Sequence, residues 1–379
     1  MKVVVILGTR PETIKLAPVV DALNAAAIST IVCATGQHRE MLEQALRVFS
    51  IQPHISLAAM TPGQTLNRLA ARLLTDMDAV LDHEQPDWVL VQGDTTTAFC
   101  GGLAAFHRGI RVGHVEAGLR TGELSSPFPE EANRSLLARI ATLHFAPTRR
   151  NRQALLAEGI PENAIHVTGN TGIDALEKAR SLTEAAQTAG RLPTLDAILA
   201  AAQGKPLVLV TCHRRENFGG VLENICRLLK RLCERHAGFY WVFPVHLNPN
   251  VQEPVRRILA AVPNLRLLNP LDYLTSLALI ARSSLILSDS GGIQEEAPAF
   301  GAPVVVMRNH TERPEGVAAG FATLAGQAPE SIEAAVDGWL LHPERRADLK
   351  HRANPYGDGH ASERIVALLQ GKTCGEFCG

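Results

Sequence analysis

Leu285-Ile286-Leu287-Ser288-Asp289-Ser290-Gly291-Gly292-Ile293-Gln294-Glu295-Glu296-Ala297 joins an apolar run to a small, polar, double-glycine turn and then to a helix-forming run. That order reads as a buried strand, a tight turn and the open N-terminus of a helix. Such a terminus carries unpaired backbone N–H groups and the positive end of the helix dipole, so it attracts phosphate. Gly291 and Gly292 let an anion come close to the backbone. Two glutamates so near a bare phosphate are unfavourable, but one of them suits a ribose hydroxyl beside it. The segment therefore suggests a nucleotide diphosphate that carries a sugar.

Outward from this segment, short apolar runs alternate with helical patterns along the whole chain, the pattern of parallel sheets built from strand–helix units. In the first half the strands are Lys2–Leu7, Thr30–Ala34, Trp88–Gln92, Arg111–Glu116 and Leu143–Ala146. Gln64–His83 is an amphipathic helix, with Leu66, Leu69, Leu73, Met77, Val80 and Leu81 at helical spacing. Pro11 suits the start of the first helix, and Pro18 is expected to kink or restart it. A second series holds the strands Leu207–Thr211, Tyr240–Pro244, Leu265–Leu268, Leu285–Ser288 and Val304–Met307. The stretch 171–205 reads as a linker with an exposed helix. The expected architecture is α/β, two doubly wound Rossmann-like domains. The first spans 1–170 and is completed by a C-terminal helix over 360–372; the second spans 171–359. Ligands of open α/β sheets bind at the strand C-termini, which places Arg10, Asp94, Glu116, His213 and Ser290 around a shared cleft.

Of the 379 residues, 46% are hydrophobic and 20% charged, an ordinary globular composition with room for two cores. A net charge of −1 gives no support for a nucleic-acid partner. The apolar start ends at Gly8, too soon for a secretory signal, and no stretch resembles a membrane span, so a cytoplasmic protein is expected. The seven cysteines follow no disulfide spacing. Cys226 and Cys233 are expected on one buried helix face, and Cys374 and Cys378 as free thiols. No zinc spacing appears among the 14 histidines, so no metal site is expected.

Nine short motifs run in order along the chain. They are Gly8-Thr9-Arg10-Pro11-Glu12-Thr13-Ile14-Lys15, Gly93-Asp94-Thr95-Thr96-Thr97, the run 113–122 around His114-Val115-Glu116, and the run 126–134 around Glu130-Glu131. Thr168-Gly169-Asn170-Thr171, the His213–Phe218 cluster, Pro244–Pro249, the double-glycine segment and Thr311-Glu312-Arg313-Pro314-Glu315 complete the set. Together they resemble the non-hydrolysing UDP-N-acetylglucosamine 2-epimerases, whose two domains share the GT-B architecture. The resemblance implies interconversion of UDP-GlcNAc and UDP-ManNAc without a cofactor, with UDP leaving C1 and returning through a 2-acetamidoglucal. It also implies a homodimer.

On that resemblance Asp94, Glu116 and Glu130 form the acid/base set and His213 assists at the diphosphate. From the residues alone, Asp94 also reads as a helix N-cap, a role Thr95 equally fits. Glu116 reads as a cleft residue or as the partner of an arginine such as Arg120, and Glu130 as part of a solvated first helical turn with Glu131. Arg10 and Lys15 suit a phosphate, although lysines most often lie on the surface. His246, Ser290, Gly291, Gly292, Glu296 and Arg313 complete the expected substrate contacts. Gln37, His38 and Met41 match a stretch that in some relatives borders a second, activating UDP-GlcNAc site; a polar helix start explains them equally well. Ser276 stands where some relatives have an aromatic against uracil, which leaves Tyr273 or Leu274 for that contact or a weaker hold on the base.

Overall fold

The computed structural model describes residues 1–36, 39–61, 63–212 and 219–379, with no side chains described at 39–41. Gln37, His38 and His213 therefore lie outside the described residues, as does the side chain of Met41. The chain divides into two units, Met1–Glu177 with Tyr356–Gly379, and Lys178–Pro355.

Among the described residues the first unit holds the strands β1 (Lys2–Leu7), β2 (Ser29–Ala34), β3 (Ile55–Ser56), β4 (Trp88–Gln92), β5 (Arg111–Val115), β6 (Leu143–Ala146) and β7 (Ile165–Val167). They form one sheet in the order β3-β2-β1-β4-β5-β6-β7, with every pairing parallel. Its helices are α1 (Arg10–Ala25), α2 (Arg39–Val48), α3 (Leu66–Glu84), α4 (Thr96–His107), α5 (Glu130–Ile140), α6 (Arg149–Ala157) and the start of α7 (Thr171–Thr188). Parallel strands covered by helices on both faces are apolar throughout. Val3 to Leu7 and Val89 to Val91 are accordingly all fully buried. The strand order reverses direction between β1 and β4, and that switch point is where the turns after these strands diverge to leave a crevice.

The second unit begins within α7 and continues with α8 (Pro193–Ala202), β8 (Leu207–Thr211), α9 (Gly220–Arg235), β9 (Tyr240–Pro244), α10 (Pro249–Leu259), β10 (Leu265–Leu268), α11 (Tyr273–Arg282) and β11 (Ser283–Ser288). It ends with α12 (Gly291–Glu296), β12 (Val304–Val306), α13 (Pro314–Ala318), β13 (Ala322–Leu324), α14 (Pro329–Leu340) and α15 (Pro343–Leu349). Its sheet is also parallel, in the order β10-β9-β8-β11-β12-β13. Trp241, Phe243 and Phe321 fill its core against Leu229, Leu232 and Val336. Cys226 and Cys233 sit fully buried in the same cluster, and burial pushes both thiols up to about 12.

In its helices and its division into units the structure departs from expectation at three places. The first helix runs unbroken from Arg10 to Ala25 through Pro18 and does not restart there. The stretch 171–205 is two helices with inward apolar stripes, not a linker beside an exposed helix: Ile173, Leu176 and Ala179 are buried in α7, and Leu195 and Ile198 in α8. The boundary expected at 170/171 coincides with the first residue of α7, and the division falls instead inside that continuous helix. The last helix, α16 (Ala361–Leu369), belongs to the first unit, where the Asp174 carboxylate accepts from Ser362 N at 2.7 Å. Beyond it, Phe377 is buried and its N–H donates to Val167 O at 2.8 Å on edge strand β7. No helix among the described residues is long and apolar enough to cross a membrane.

Candidate active site

In the first unit the turns after β1, β4 and β5 carry the candidate residues. Glu116 is the first residue past β5, not its last, and its backbone is left-handed at φ 65°. For a residue with a Cβ that conformation costs roughly 1–2 kcal/mol. The turned side chain accepts from Lys15 Nζ on one oxygen and from Gln92 Nε2 on the other. Lys15 and Glu116 are both nearly buried, at 13% and 10% exposed. Lys15 is thus no surface lysine, and Arg120 is not Glu116's partner; Arg120 is bound to Glu158 at 2.6 Å and 2.9 Å.

Asp94 sits in the turn after β4, where Gly93 at φ 71° supplies the backbone geometry that other residues adopt only under strain. Thr95, not Asp94, caps α4, its hydroxyl accepting from Ala98 N at 3.0 Å. The Asp94 carboxylate instead meets the buried Arg134 guanidinium at 2.7 Å. Three further bonds hold the turn. His114 Nε2 donates to Gly93 O at 2.8 Å, Asn133 Nδ2 donates to Asp94 O at 2.8 Å, and Gly93 N donates to Val115 O at 3.0 Å. The last bond ties the Asp94 turn to the strand that delivers Glu116.

The two consecutive glutamates at the start of α5 have different fates. Glu131 is buried, lies 3.4 Å from Arg134 and accepts from the backbone N–H groups of Thr121 and Gly122 at 3.1 Å. Only Glu130 stays half-exposed, and its side chain makes no hydrogen bond or ion pair among the described residues. The first helical turn is therefore not uniformly solvated. Arg10 is half-buried at the start of α1, with no ion pair among the described residues.

In the second unit, Ser290 occupies the N-cap position of α12, beside the end of β11, without a side-chain capping bond. Its N–H donates to Ser288 Oγ at 2.9 Å, and Gln294 Nε2 donates to its carbonyl at 3.2 Å. Arg313 lies in a buried ionic cluster. Its Nε donates to Glu295 at 2.6 Å and its Nη1 lies 3.4 Å from Glu312, which is also held by Arg308 at 2.9 Å. Burial opposes ionisation of Glu312, but the Arg308 hydrogen bond and the charges of Arg313 and Arg308 outweigh it and hold the carboxyl down at about 2. Of the acidic pair after the double glycine, Glu295 thus faces inward to Arg313, and Glu296 is half-exposed. His246 is exposed after β9, its Nδ1 accepting from Asn248 N at 3.2 Å. Tyr273 is buried at the head of α11, whereas Leu274 and Ser276 are half-exposed.

The two glycines are glycine for different reasons. A Cβ on Gly291 would stand 2.6 Å from the Arg313 guanidinium, which Glu295 and Glu312 hold in place; a Cβ on Gly292 would meet nothing nearer than Ser290 Oγ at 3.9 Å. Gly291→Ala is therefore expected to displace Arg313 and cost about 1–3 kcal/mol, and Gly292→Ala to be neutral or stabilising by up to about 1 kcal/mol through helix propensity. Urea denaturation of the two variants separates these outcomes.

Gln92, His114, Arg134 and Glu12 were not singled out from sequence. Three of them lie inside motifs quoted above, and Gln92 immediately precedes one; only the fold shows that they bear on Asp94 and Glu116.

Comparison with known proteins places the chain among relatives of one family. The family model for UDP-N-acetylglucosamine 2-epimerase matches residues 21–370. The UDP-N-acetylglucosamine 2-epimerase of Yersinia pestis is 50% identical over 376 residues, 98% of this chain and 98% of that protein. The crystal structure of the Neisseria meningitidis UDP-GlcNAc 2-epimerase bound to UDP-GlcNAc superposes with a TM-score of 0.92 at 43% identity, covering 98% of this chain and 100% of that one. The Methanocaldococcus jannaschii enzyme in complex with UDP-GlcNAc and UDP gives 0.82 at 33% identity, with 98% and 99% covered. Matched by sequence and by architecture over nearly its whole length, the chain belongs to the UDP-N-acetylglucosamine 2-epimerase family.

Proposed function

We propose that the chain interconverts UDP-GlcNAc and UDP-ManNAc without net hydrolysis, through elimination and re-addition of UDP. The C2 hydrogen of this sugar has no carbonyl beside it, so simple deprotonation is very slow. In elimination a carboxylate takes the C2 proton, the C2–H electron pair becomes the C1–C2 double bond, and the C1–O pair leaves with UDP. Re-addition of UDP with a proton delivered to the other face of C2 gives the epimer. This requires proton-carrying groups on both faces of C2 and cations for the diphosphate.

The observation that carries the proposal is the convergence of Glu116, Lys15 and Gln92 beside an Asp94 turn hydrogen-bonded to the same strand. Asp94 and Glu116 each rest against a cation, Arg134 and Lys15. With Glu130 they form the proposed acid/base set, and Arg10 and Lys15 are assigned to the phosphates. In the second unit the backbone of Ser290, Gly291 and Gly292 is assigned to the diphosphate and Glu296 to the ribose. With Glu295 and Glu312 already balancing it, Arg313 orders that turn and is a weaker candidate for direct contact. A cytoplasmic homodimer completes the proposal.

Incubation of the purified protein with UDP-GlcNAc in D₂O tests it. The expected result is deuterium at C2 and a mixture of the two UDP-sugars. Stoichiometric free UDP and ManNAc instead would establish a hydrolysing enzyme. Binding without exchange would leave a nucleotide-sugar-binding protein.

A further inference from the structure

Glu12 belongs neither to the acid/base set nor to the assigned phosphate contacts, yet it is the most heavily bonded carboxylate of the first βα turn. It is 1% exposed. One oxygen accepts from Gly8 N at 2.9 Å and Thr9 N at 2.6 Å; the other accepts from Thr95 Oγ1 at 2.6 Å. The backbone donors belong to the turn between β1 and α1, and the hydroxyl to the turn between β4 and α4. Arg10 directly follows Thr9, and Asp94 directly precedes Thr95.

A capping-box glutamate needs only the N-cap N–H of its own helix. The bond to Thr95, 83 residues away, does nothing for the capping of α1. Burial pushes the Glu12 carboxyl upward, opposed in part by these hydrogen bonds, so a carboxyl at this buried position is costly for capping alone. We infer that Glu12 is a positioning residue for the epimerase chemistry proposed above: one buried carboxylate staples the turn bearing Arg10 to the turn bearing Asp94 and so sets the distance between phosphate cation and proton-carrying acid.

The reach of the side chain makes this testable. Glu12→Gln keeps the length and, with the Thr95 hydroxyl turned to accept from the amide, all three contacts. Glu12→Ala keeps none. A misplacement near 1 Å is enough for about a 100-fold loss of rate. C2 exchange in D₂O at saturating UDP-GlcNAc, well below the melting temperature, is expected to fall at least about 30-fold in Glu12→Ala and to recover in Glu12→Gln. Because Glu12 acts through Asp94, the same Ala substitution in an Asp94→Asn background is expected to cost less than about threefold more. A residue that merely supports the fold would cost the same factor in both backgrounds. That result, or a folded Glu12→Ala protein within about twofold of wild type, overturns the inference.

Should Glu12→Ala fail to fold, Thr95→Gly cuts the staple from its other end with little capping cost to α4, glycine being an acceptable N-cap, and Thr95→Ser keeps the hydroxyl for both bonds. A loss of at least about tenfold in the Gly protein that the Ser protein restores supports the staple. Equal rates in the two overturn it. If the wild-type protein itself exchanges no C2 hydrogen, the epimerase proposal falls and the inference falls with it. Exchange in the wild type with no response to these substitutions overturns the inference alone.

Discussion

Glu116→Gly is expected to give a protein about 1 kcal/mol more stable than Glu116→Ala, the reverse of the usual order. At most positions glycine is the worse of the two, because its unfolded chain has more freedom to lose. At φ 65° alanine pays the left-handed penalty and glycine does not. Both variants are expected to be less stable than wild type, since each removes the carboxylate that accepts from the nearly buried Lys15, and breaking a buried pair from one side costs up to about 3–5 kcal/mol. Lys15→Met in the Glu116→Gly background removes the buried charge that Glu116 balanced and should recover part of that loss. All of these proteins, and Glu116→Gln, are expected to lose C2 exchange by about 10²–10⁴-fold, the range for removal of a general acid or base. Urea denaturation read beside deuterium incorporation checks both halves. An Ala variant as stable as the Gly variant would show that the left-handed backbone at Glu116 carries no strain.

A second large effect concerns acid stability. His114 and His144 are cross-strand neighbours on β5 and β6, each 1% exposed. Burial, then the charge of His144, with Arg120 and Arg134 nearby, lowers His114 to about 3. Burial and Arg120 lower His144 to about 4, against a hydrogen bond to the Ala141 backbone and the charge of Glu158. Both are neutral at pH 7, and His114 carries its proton on Nε2, where it donates to Gly93 O. Unfolded, each binds a proton near pH 6.5, so between that value and the folded pKa the unfolded state holds more protons. Stability is therefore complete above pH 6.5 and falls as pH drops, by about 1.4 kcal/mol per unit from each histidine. His144→Gln removes one titrating group without touching the bond to Gly93. Between pH 4.5 and 6 its stability curve should be shallower than that of wild type by about 1.4 kcal/mol per unit. Parallel curves from urea titrations would show that His144 takes up its proton equally in both states.

Where the fold was legible, the reason is burial on both faces. A parallel strand covered by helices must be a continuous apolar run. Lys2–Leu7, Trp88–Gln92, Leu143–Ala146, Leu207–Thr211 and Tyr240–Pro244 could be read to the residue. The three strands missed, β3, β7 and β13, are all sheet edges of two or three residues, too short to show a pattern. The same limit explains the misreading of 171–205, where alanine supplies much of the buried stripe and gives little periodic contrast.

The candidate site was legible as residue types at the ends of strands, and much less so as partnerships. Glu130 and Glu131 are equivalent in sequence, yet one turn of α5 sends Glu131 inward to Arg134 and leaves Glu130 half-exposed. Glu295 and Glu296 divide in the same way, with Arg313 taking the first. Nothing local distinguishes the members of either pair.

The sequence by itself determined the alternation of strand and helix, the parallel sheets and the placing of acids and cations just past strand ends, because these follow from side-chain burial and turn chemistry over a few residues. Only the tertiary structure decided that Lys15 meets Glu116, 101 residues away, that Arg134 meets Asp94, and that Glu12 reaches Thr95. Those pairings depend on β1 lying beside β4 and β4 beside β5. Strand order is a long-range property, set by which packing of the whole sheet buries the most apolar surface, and no single segment carries it.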